Sequence, residues 1–442
     1  MMEHANRRHF IGAAIGAAVS AGTIKSTRAV AANEKLTMGF MGLGGRMNQL
    51  VKVLCANPNV RTKYICDVDE SKFARAAAGI DAVSGESPTR VTDFRKMLDD
   101  PDVDIIINAT WDHWHALGTI MACQAGKHVY VEKPVSVDIW EGRKMVEAAR
   151  KYKCIVQSGM QNRSCEYHQR AIEMIQSGKL GRIHQTRLIE MLDMSRRYNF
   201  QPRELPDGLD WDMYCGPSPL VPYTDTNIKR VNWDFSCGII FDDAIHQLDV
   251  ARWVTGTTSP KAVHCAGGVM GGDDGRPSPD TQVMTWEFDD MLMTHQGSLM
   301  CPYMKKTPES ARNGDEFPDW LMNATRIEIY GTEGMMLLGR QGGGWQIYGP
   351  DGGLVAQQYG RHQLDAHFQN FVDCIRTGKR PNGDVEEGHL SASLAHIGNI
   401  SYRLNHQQLR WDGNAERFIN NDAANALLKR KHRKPWIIPE KV

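Results

Sequence analysis

The residues with chemical potential fall in three places. Gly42-Leu43-Gly44-Gly45-Arg46 follows a short apolar run, Glu132-Lys133-Pro134 follows another, and Asp242 and His246 stand four residues apart. Glycines at this spacing let the backbone turn tightly and approach a dinucleotide pyrophosphate, which rests on the N-terminus of the next helix. A lysine at a strand end reaches the ligand edge of a parallel sheet. There its ammonium can bind a substrate hydroxyl and stabilise the alkoxide that develops as hydride leaves. If residues 242–249 are helical, Asp242, His246 and Asp249 share one face. The imidazole can then take a hydroxyl proton, and the carboxylate one turn earlier can orient the ring and stabilise its cation. Together these groups point to hydride transfer.

Strands and helices must place them. Residues 36–41, 60–66, 103–109, 128–132 and 154–158 read as strands, and about 70–79, 113–125 and 138–151 as helices. That alternation means βαβ units and a parallel sheet. Asp67 closes the second strand about twenty residues past the glycines, where a carboxylate accepts from the adenosine ribose and repels a 2′-phosphate, so NAD is favoured over NADP. Met47 stands where Gly or Ala is usual, so helix–strand packing there is expected to be looser or differently shaped. The cofactor set read from these segments is Gly42, Leu43, Gly44, Gly45, Arg46, Asp67, Thr110, His113, Glu132, Lys133, Pro134 and Gln161.

The character changes near Gly159. Segments 182–192, 281–289, 292–299 and 324–330 read as longer strands with few crossover helices after residue 260, which means an antiparallel sheet with one exposed face. A chain of 442 residues exceeds one hydrophobic core. The division read here is a leader over 1–32, a dinucleotide domain over 33–158, and a substrate and oligomerisation domain over 159–442 with C-terminal helices and a tail. Specificity is assigned to loops 160–168, 193–235 and 301–320, with Arg163, Arg196, Arg197 and Tyr198 as possible hydroxyl or carboxylate contacts. Trp111 and Trp233 are the tryptophans best placed to stack on a sugar, and Arg163, Trp233 and Asp249 form the substrate set.

Other classes lose support. Lys+Arg and Asp+Glu are 52 each, which gives no electrostatic case for nucleic acid or an anionic membrane. The run 429–434 is basic but short, and reads as a solvated C-terminal turn. The spacing of Asp112, His113 and His115 does not build a credible zinc site without a further ligand, and no C-x-x-C occurs, so no metal is expected. The ten cysteines read mainly as small buried hydrophobes. At the N-terminus, Arg7-Arg8-His9-Phe10, a small-residue apolar stretch and Arg28-Ala29-Val30-Ala31-Ala32 read as a twin-arginine signal peptide, with Asn6 where Ser or Thr is usual. A periplasmic protein, free of the membrane once processed, is expected; a silent leader would leave it cytoplasmic.

The glycine loop, Ala109-Thr110-Trp111-Asp112-His113-Trp114-His115, Ala125-Gly126-Lys127-His128-Val129-Tyr130-Val131-Glu132-Lys133-Pro134, and Asp242-x-x-x-His246-x-x-Asp249 resemble the Gfo/Idh/MocA oxidoreductases. The resemblance runs over about residues 35–435. It implies a doubly wound Rossmann domain followed by a large, mostly antiparallel open sheet that pairs into homodimers or homotetramers. It also implies Lys133 in substrate binding and catalysis, His246 as general acid/base and Asp242 as its partner. Exported relatives hold their cofactor tightly. The leading expectation is an NAD-dependent oxidoreductase acting on a sugar, polyol or glycoside hydroxyl. Two alternatives stand beside it. One is a glycosidase that uses NAD catalytically, as in an α-N-acetylgalactosaminidase family that lacks the Glu-Lys-Pro block. The other is a non-catalytic NAD- or sugar-binding protein.

Overall fold

The computed structural model describes residues 34–194, 197–224 and 226–442, so the leader and Arg196 lie outside the described residues. The first sheet contains β1 (Leu36–Met41), β2 (Val60–Cys66), β3 (Thr89–Val91), β4 (Ile105–Asn108), β5 (His128–Val131) and β6 (Val156–Ser158) in the order β3-β2-β1-β4-β5-β6. Every pairing is parallel. All residues of β1, β4 and β5 are buried, because helices cover both faces. The strand order reverses between β1 and β4, and a ligand crevice opens at the carboxyl ends of strands flanking such a point. Gly42 follows β1, Thr110 follows β4 and Lys133 lies just past β5, so the topology gathers all three at one edge.

The second sheet has ten strands: β7 (Ile183–Met191), β8 (Ala262–Gly268), β9 (Thr281–Glu287), β10 (Leu292–Ser298), β11 (Arg326–Gly331), β12 (Met335–Gly339), β13 (Trp345–Tyr348), β14 (Leu354–Gln358), β15 (Leu409–Asp412) and β16 (Arg417–Phe418). Its order is β14-β13-β12-β11-β7-β10-β9-β8-β15-β16, antiparallel except for the parallel pair β7–β10. The alternation that marked its strands is real: Thr281–Glu287 runs half-buried, buried, exposed, buried. The sheet's buried face carries the Ile239–Thr255 helix, where Gln247 donates to the Ile189 carbonyl. Gly238 at φ +85° and Gly256 in the left-handed region at φ +70° bracket that helix. Glycine is the residue that tolerates both.

The end of the chain returns to the first domain. Phe368, Phe371 and Val372 of the Leu364–Thr377 helix enter the same core as Leu36, Phe40 and Ile107. The Val385–Arg403 helix packs beneath the second sheet, where Trp286 Nε1 donates to the Leu394 carbonyl at 3.0 Å. Met47 is fully buried in the first core, so the helix after the glycines packs through a long flexible side chain. The basic tail is not a solvated turn. Arg430 and His432 both reach Glu141 Oε1 at 2.7 Å, on a helix of the first domain where that carboxylate is fully buried. Burial works to raise the Glu141 pKa, but Arg430 and His432 hold it down to about 2. All ten cysteines are buried and unpaired in disulfides.

Candidate functional site

A cleft of about 1020 Å³ runs from the glycine loop to the second sheet, larger than one small ligand needs. Gly42 sits at φ +89°, and a Cβ there would lie 2.7 Å from the Ala109 carbonyl oxygen and Thr110 nitrogen, so only glycine fits. Nothing lies within 4 Å of a Cβ at Gly44 or Gly45, which leaves room over the loop. The Gly45–Leu54 helix begins without a side-chain cap, so its first amides are available to an anion. A dinucleotide pyrophosphate fits that donor set.

Asp67 steadies the loop from below. Its Oδ2 accepts from Leu43 N at 2.7 Å and its Oδ1 from Asp69 N at 2.9 Å. Burial raises its pKa against the opposing pull of those two amides. Arg46 Nε donates to Glu132 Oε1 at 2.7 Å, joining the ends of β1 and β5 across the cleft. Gln161 donates to the Tyr130 hydroxyl at 3.2 Å and Thr110 Oγ1 to Asn108 Oδ1 at 2.7 Å; both residues line the cleft. His115 stands between the carbonyls of Pro134, 2.6 Å from Nδ1, and Thr110, 3.1 Å from Nε2; burial lowers its pKa, so the neutral ring donates to one of the two.

At the chemical end, Lys133 Nζ lies 3.0 Å from Asp242 Oδ1 and also donates to the Asp242 carbonyl. Arg230 adds a second cation, 3.4 Å from Asp242 Oδ2, and lies over the Trp111 ring at 5.9 Å. Burial opposes charge on both partners of the lysine pair. The attraction outweighs it, so the Lys133 pKa is raised and that of Asp242 lowered. His246 lines the same cleft. Burial, then Lys133 and Arg340, lower its pKa well below the ordinary histidine value, so the resting ring is neutral, with a free lone pair but weaker basicity than an ordinary imidazole. Its Nδ1 is buried with no partner, which leaves Nε2 for exchange with the cleft.

Several expectations need correction. Asp242 spends its carboxylate on Lys133 and Arg230 rather than on orienting His246, because Lys133 enters from the facing strand end and satisfies it first. His113 is not a cofactor contact: it is fully buried, with Nε2 2.8 Å from the Tyr214 carbonyl and its ring edge-on to Phe235. Arg163 and Asp249 are not substrate contacts, because Arg163 Nε bonds Asp249 Oδ1 at 2.9 Å within the core and Ser391 adds a bond at 2.7 Å. Trp233 lies at a separate small cavity beside Arg403. Leu43 and Pro134 act through backbone atoms. Tyr198 is buried against Arg276.

The structure adds residues that the spacing did not reveal. Asp112, Arg230, Asp243, Lys306, Arg312, Arg340 and His362 line the cleft. Arg340 Nη1 pairs with Asp243 Oδ2 at 2.9 Å, and Lys306 reaches the same oxygen at 2.6 Å. A signal was present: Glu190 and Arg340 are charged residues set into or against apolar strand segments. Lys306 and Arg312 belong to the 301–320 loop marked for specificity, and Arg230 to the 193–235 loop.

The comparisons with known proteins agree with this architecture. The Gfo/Idh/MocA description "Oxidoreductase family, NAD-binding Rossmann fold" matches residues 36–160. The family's C-terminal domain matches residues 168–337, and its C-terminal alpha/beta domain residues 355–438. A glycosyl hydrolase family 109 protein of Saccharopolyspora erythraea is 29% identical over 216 residues, 44% of this chain and 46% of that protein. The chain thus spans between 38% and 55% of the length of the curated relatives it matches. Two solved structures share the fold. Aldose-aldose oxidoreductase from Caulobacter crescentus, complexed with glycerol, has a TM-score of 0.64 at 18% identity, over 85% of this chain and 100% of that one. The WlbA dehydrogenase from Bordetella pertussis, in complex with NADH and UDP-GlcNAcA, has a TM-score of 0.61 at 19% identity, over 86% and 99%. A Rossmann sheet with its glycine loop, a lysine past β5, an aspartate–histidine helix over a ten-stranded sheet, and three matching domain descriptions lead to one assignment: the chain belongs to the Gfo/Idh/MocA oxidoreductase family.

Proposed function

We propose that the protein is an NAD-dependent oxidoreductase that moves a hydride between a carbohydrate or polyol hydroxyl and a nicotinamide. The observation that carries this reading is the sharing of one cleft by the Gly42–Arg46 loop and the Lys133, Asp242 and His246 cluster. Gly44, Gly45, Asp67 and Thr110 would hold the cofactor, which would supply the hydride acceptor or donor when bound. His246 Nε2 takes the hydroxyl proton, since its ring is neutral. Lys133, kept charged by Asp242, stabilises the alkoxide. In the reverse direction the same groups return the proton and release the charge.

The test is absorbance at 340 nm with purified protein, NAD and a panel of aldoses, uronates and polyols, alongside mass spectrometry of released cofactor. NADH formation that disappears in His246→Ala supports the assignment; no turnover with any of them counts against it. A second reading, a glycosidase that oxidises, eliminates, hydrates and re-reduces its substrate, draws on the family 109 relative. Release of nitrophenol from an aryl glycoside without net NADH would select it. The leader is proposed to direct twin-arginine export to the periplasm, from Arg7-Arg8 and the apolar stretch after them. Retention of an Arg7→Lys, Arg8→Lys protein in the cytoplasm checks this. The large sheet is proposed to pair in a homodimer or homotetramer, which light scattering of the purified protein measures.

A further inference from the structure

The chemical end of the cleft is unbalanced in charge. Lys133 and Arg230 share the single carboxylate of Asp242, and Lys306 and Arg340 share that of Asp243; Arg340 also lies 3.9 Å from Glu190 Oε2, but burial, with Asp243 adding to it, raises the Glu190 pKa well above the usual carboxyl value. Arg46 takes Glu132. Arg312 has no carboxylate partner among the described residues: it donates to the Gln341 side-chain oxygen, and its Nε is buried without any acceptor. Next to it His362, whose backbone amide donates to the Arg312 carbonyl at 3.0 Å, also lines the cleft and has a buried Nε2 without a partner. Burial raises the Asp112 pKa to about 8, with Asp242 adding to the effect, so this neighbouring acid does not restore the balance at pH 7. Burial lowers the pKa of Arg312, and Arg340 adds to that; burial lowers the His362 pKa to about 4, with Arg312 contributing. An oxidised nicotinamide, itself cationic, would deepen the excess.

A guanidinium without a carboxylate partner in a partly closed cleft carries a desolvation cost that a ligand anion can offset, and Arg presents a fork matched to carboxylate or sulfate oxygens. We propose that Arg312, with His362 beside it, holds an anionic substituent of the substrate, so that the sugar oxidised at His246 and Lys133 is an acidic one, bearing a carboxylate or a sulfate ester. This rests on the oxidoreductase reading above, and it names the substrate class for that same cleft.

The experiment compares glucuronate, glucose 6-sulfate and glucose as reductants of NAD by the full-length holoprotein, in wild type, Arg312→Gln and Arg312→Lys. The expected result is a kcat/KM for one of the two acids about 10- to 100-fold above glucose, a preference lost in Arg312→Gln and partly kept in Arg312→Lys. Whichever acid responds tells carboxylate from sulfate. The lysine variant also guards against a preference lost through misfolding. Equal kcat/KM for glucose and both acids, or an acid preference untouched by Arg312→Gln, would overturn the proposal while leaving the oxidoreductase standing. If none of the three is oxidised, calorimetric titration of both acids into NAD-loaded protein decides. Heat that vanishes in Arg312→Gln upholds the anion site and rejects only the hydride-transfer reading. No heat from either acid overturns the site itself.

Discussion

The Lys133 ammonium lies 3.0 Å from the Asp242 carboxylate and also donates to the carbonyl of that same residue. One domain's strand end is thereby locked onto the first turn of the other domain's helix. The pair gives Asp242 a different task from the one its spacing to His246 suggested. It holds the lysine charged in a buried place, and His246 is left neutral.

Replacement of Lys133 should therefore separate chemistry from cofactor binding. Lys133→Met removes the charge that meets the alkoxide and should lower kcat by about 100- to 1,000-fold, the range for losing one stabilising group at a developing oxyanion. NAD affinity should change little, because the loop amides and Asp67 lie elsewhere. Steady-state kinetics with fluorescence titration of NADH checks both. An unchanged kcat would remove Lys133 from the reaction.

Cofactor preference should follow Asp67. It lines the cleft and also accepts from the Leu43 amide at 2.7 Å. Asp67→Ala should weaken NAD about 10- to 100-fold through loss of charge-assisted bonds. NADP should lose less, since a repulsive carboxylate goes with it. The measured quantity is the ratio of the two dissociation constants. A ratio that stays fixed would mean that Asp67 supports the loop and does not read the ribose.

The basic tail gives a stability prediction. Glu141 is fully buried between Arg430 and His432, each at 2.7 Å. Arg430→Ala leaves that carboxylate with His432 and a long bond from the Val137 amide, and should cost about 3–5 kcal/mol, as when one side of a buried pair is removed. Denaturant unfolding measures it. A loss of under 1 kcal/mol would mean that water reaches Glu141.

Local signals in the sequence carried the first domain well, for a physical reason. Leu36–Met41 is observed as expected, because a strand buried on both faces is a nearly continuous apolar run and glycine ends it; Val60–Cys66 is also observed, although Arg61 is exposed and Lys63 and Tyr64 are half-buried. Short edge elements such as Thr89–Val91 escaped notice, since three residues with one buried carry no period. In the second domain, strands with alternation were visible, whereas Leu354–Val355 at the sheet edge expose both side chains and hide the pattern. The site divides along the same line. Lys133 and His246 sit in motifs. Arg312, in the short Glu309–Asn313 helix, and Arg340, just past β12, are separated from them by many residues, and only the fold brings them to the cleft. Arg163 and Asp249 failed as substrate contacts because the two side chains, from different elements, pair with each other inside the core.

Asp112 offers a test of the cleft's electrostatics that needs no substrate. It stands in the first turn of the Asp112–Gln124 helix and lines the cleft near Asp242. Burial, with Asp242 adding to it, raises its pKa from 3.8 to about 8. In the unfolded chain the group ionises near the lower value, while the fold keeps it protonated to the higher one. A raised carboxyl pKa favours the folded state fully below pH 3.8, and that contribution fades as pH climbs through the window to about 8. Asparagine cannot ionise, so Asp112→Asn removes the pH-dependent loss. Its melting temperature should exceed that of wild type by a margin that widens from pH 4.5 to pH 8 and then levels. A margin constant across that range would place an ionised Asp112 in the fold, and the cation excess beside it would be smaller by one charge.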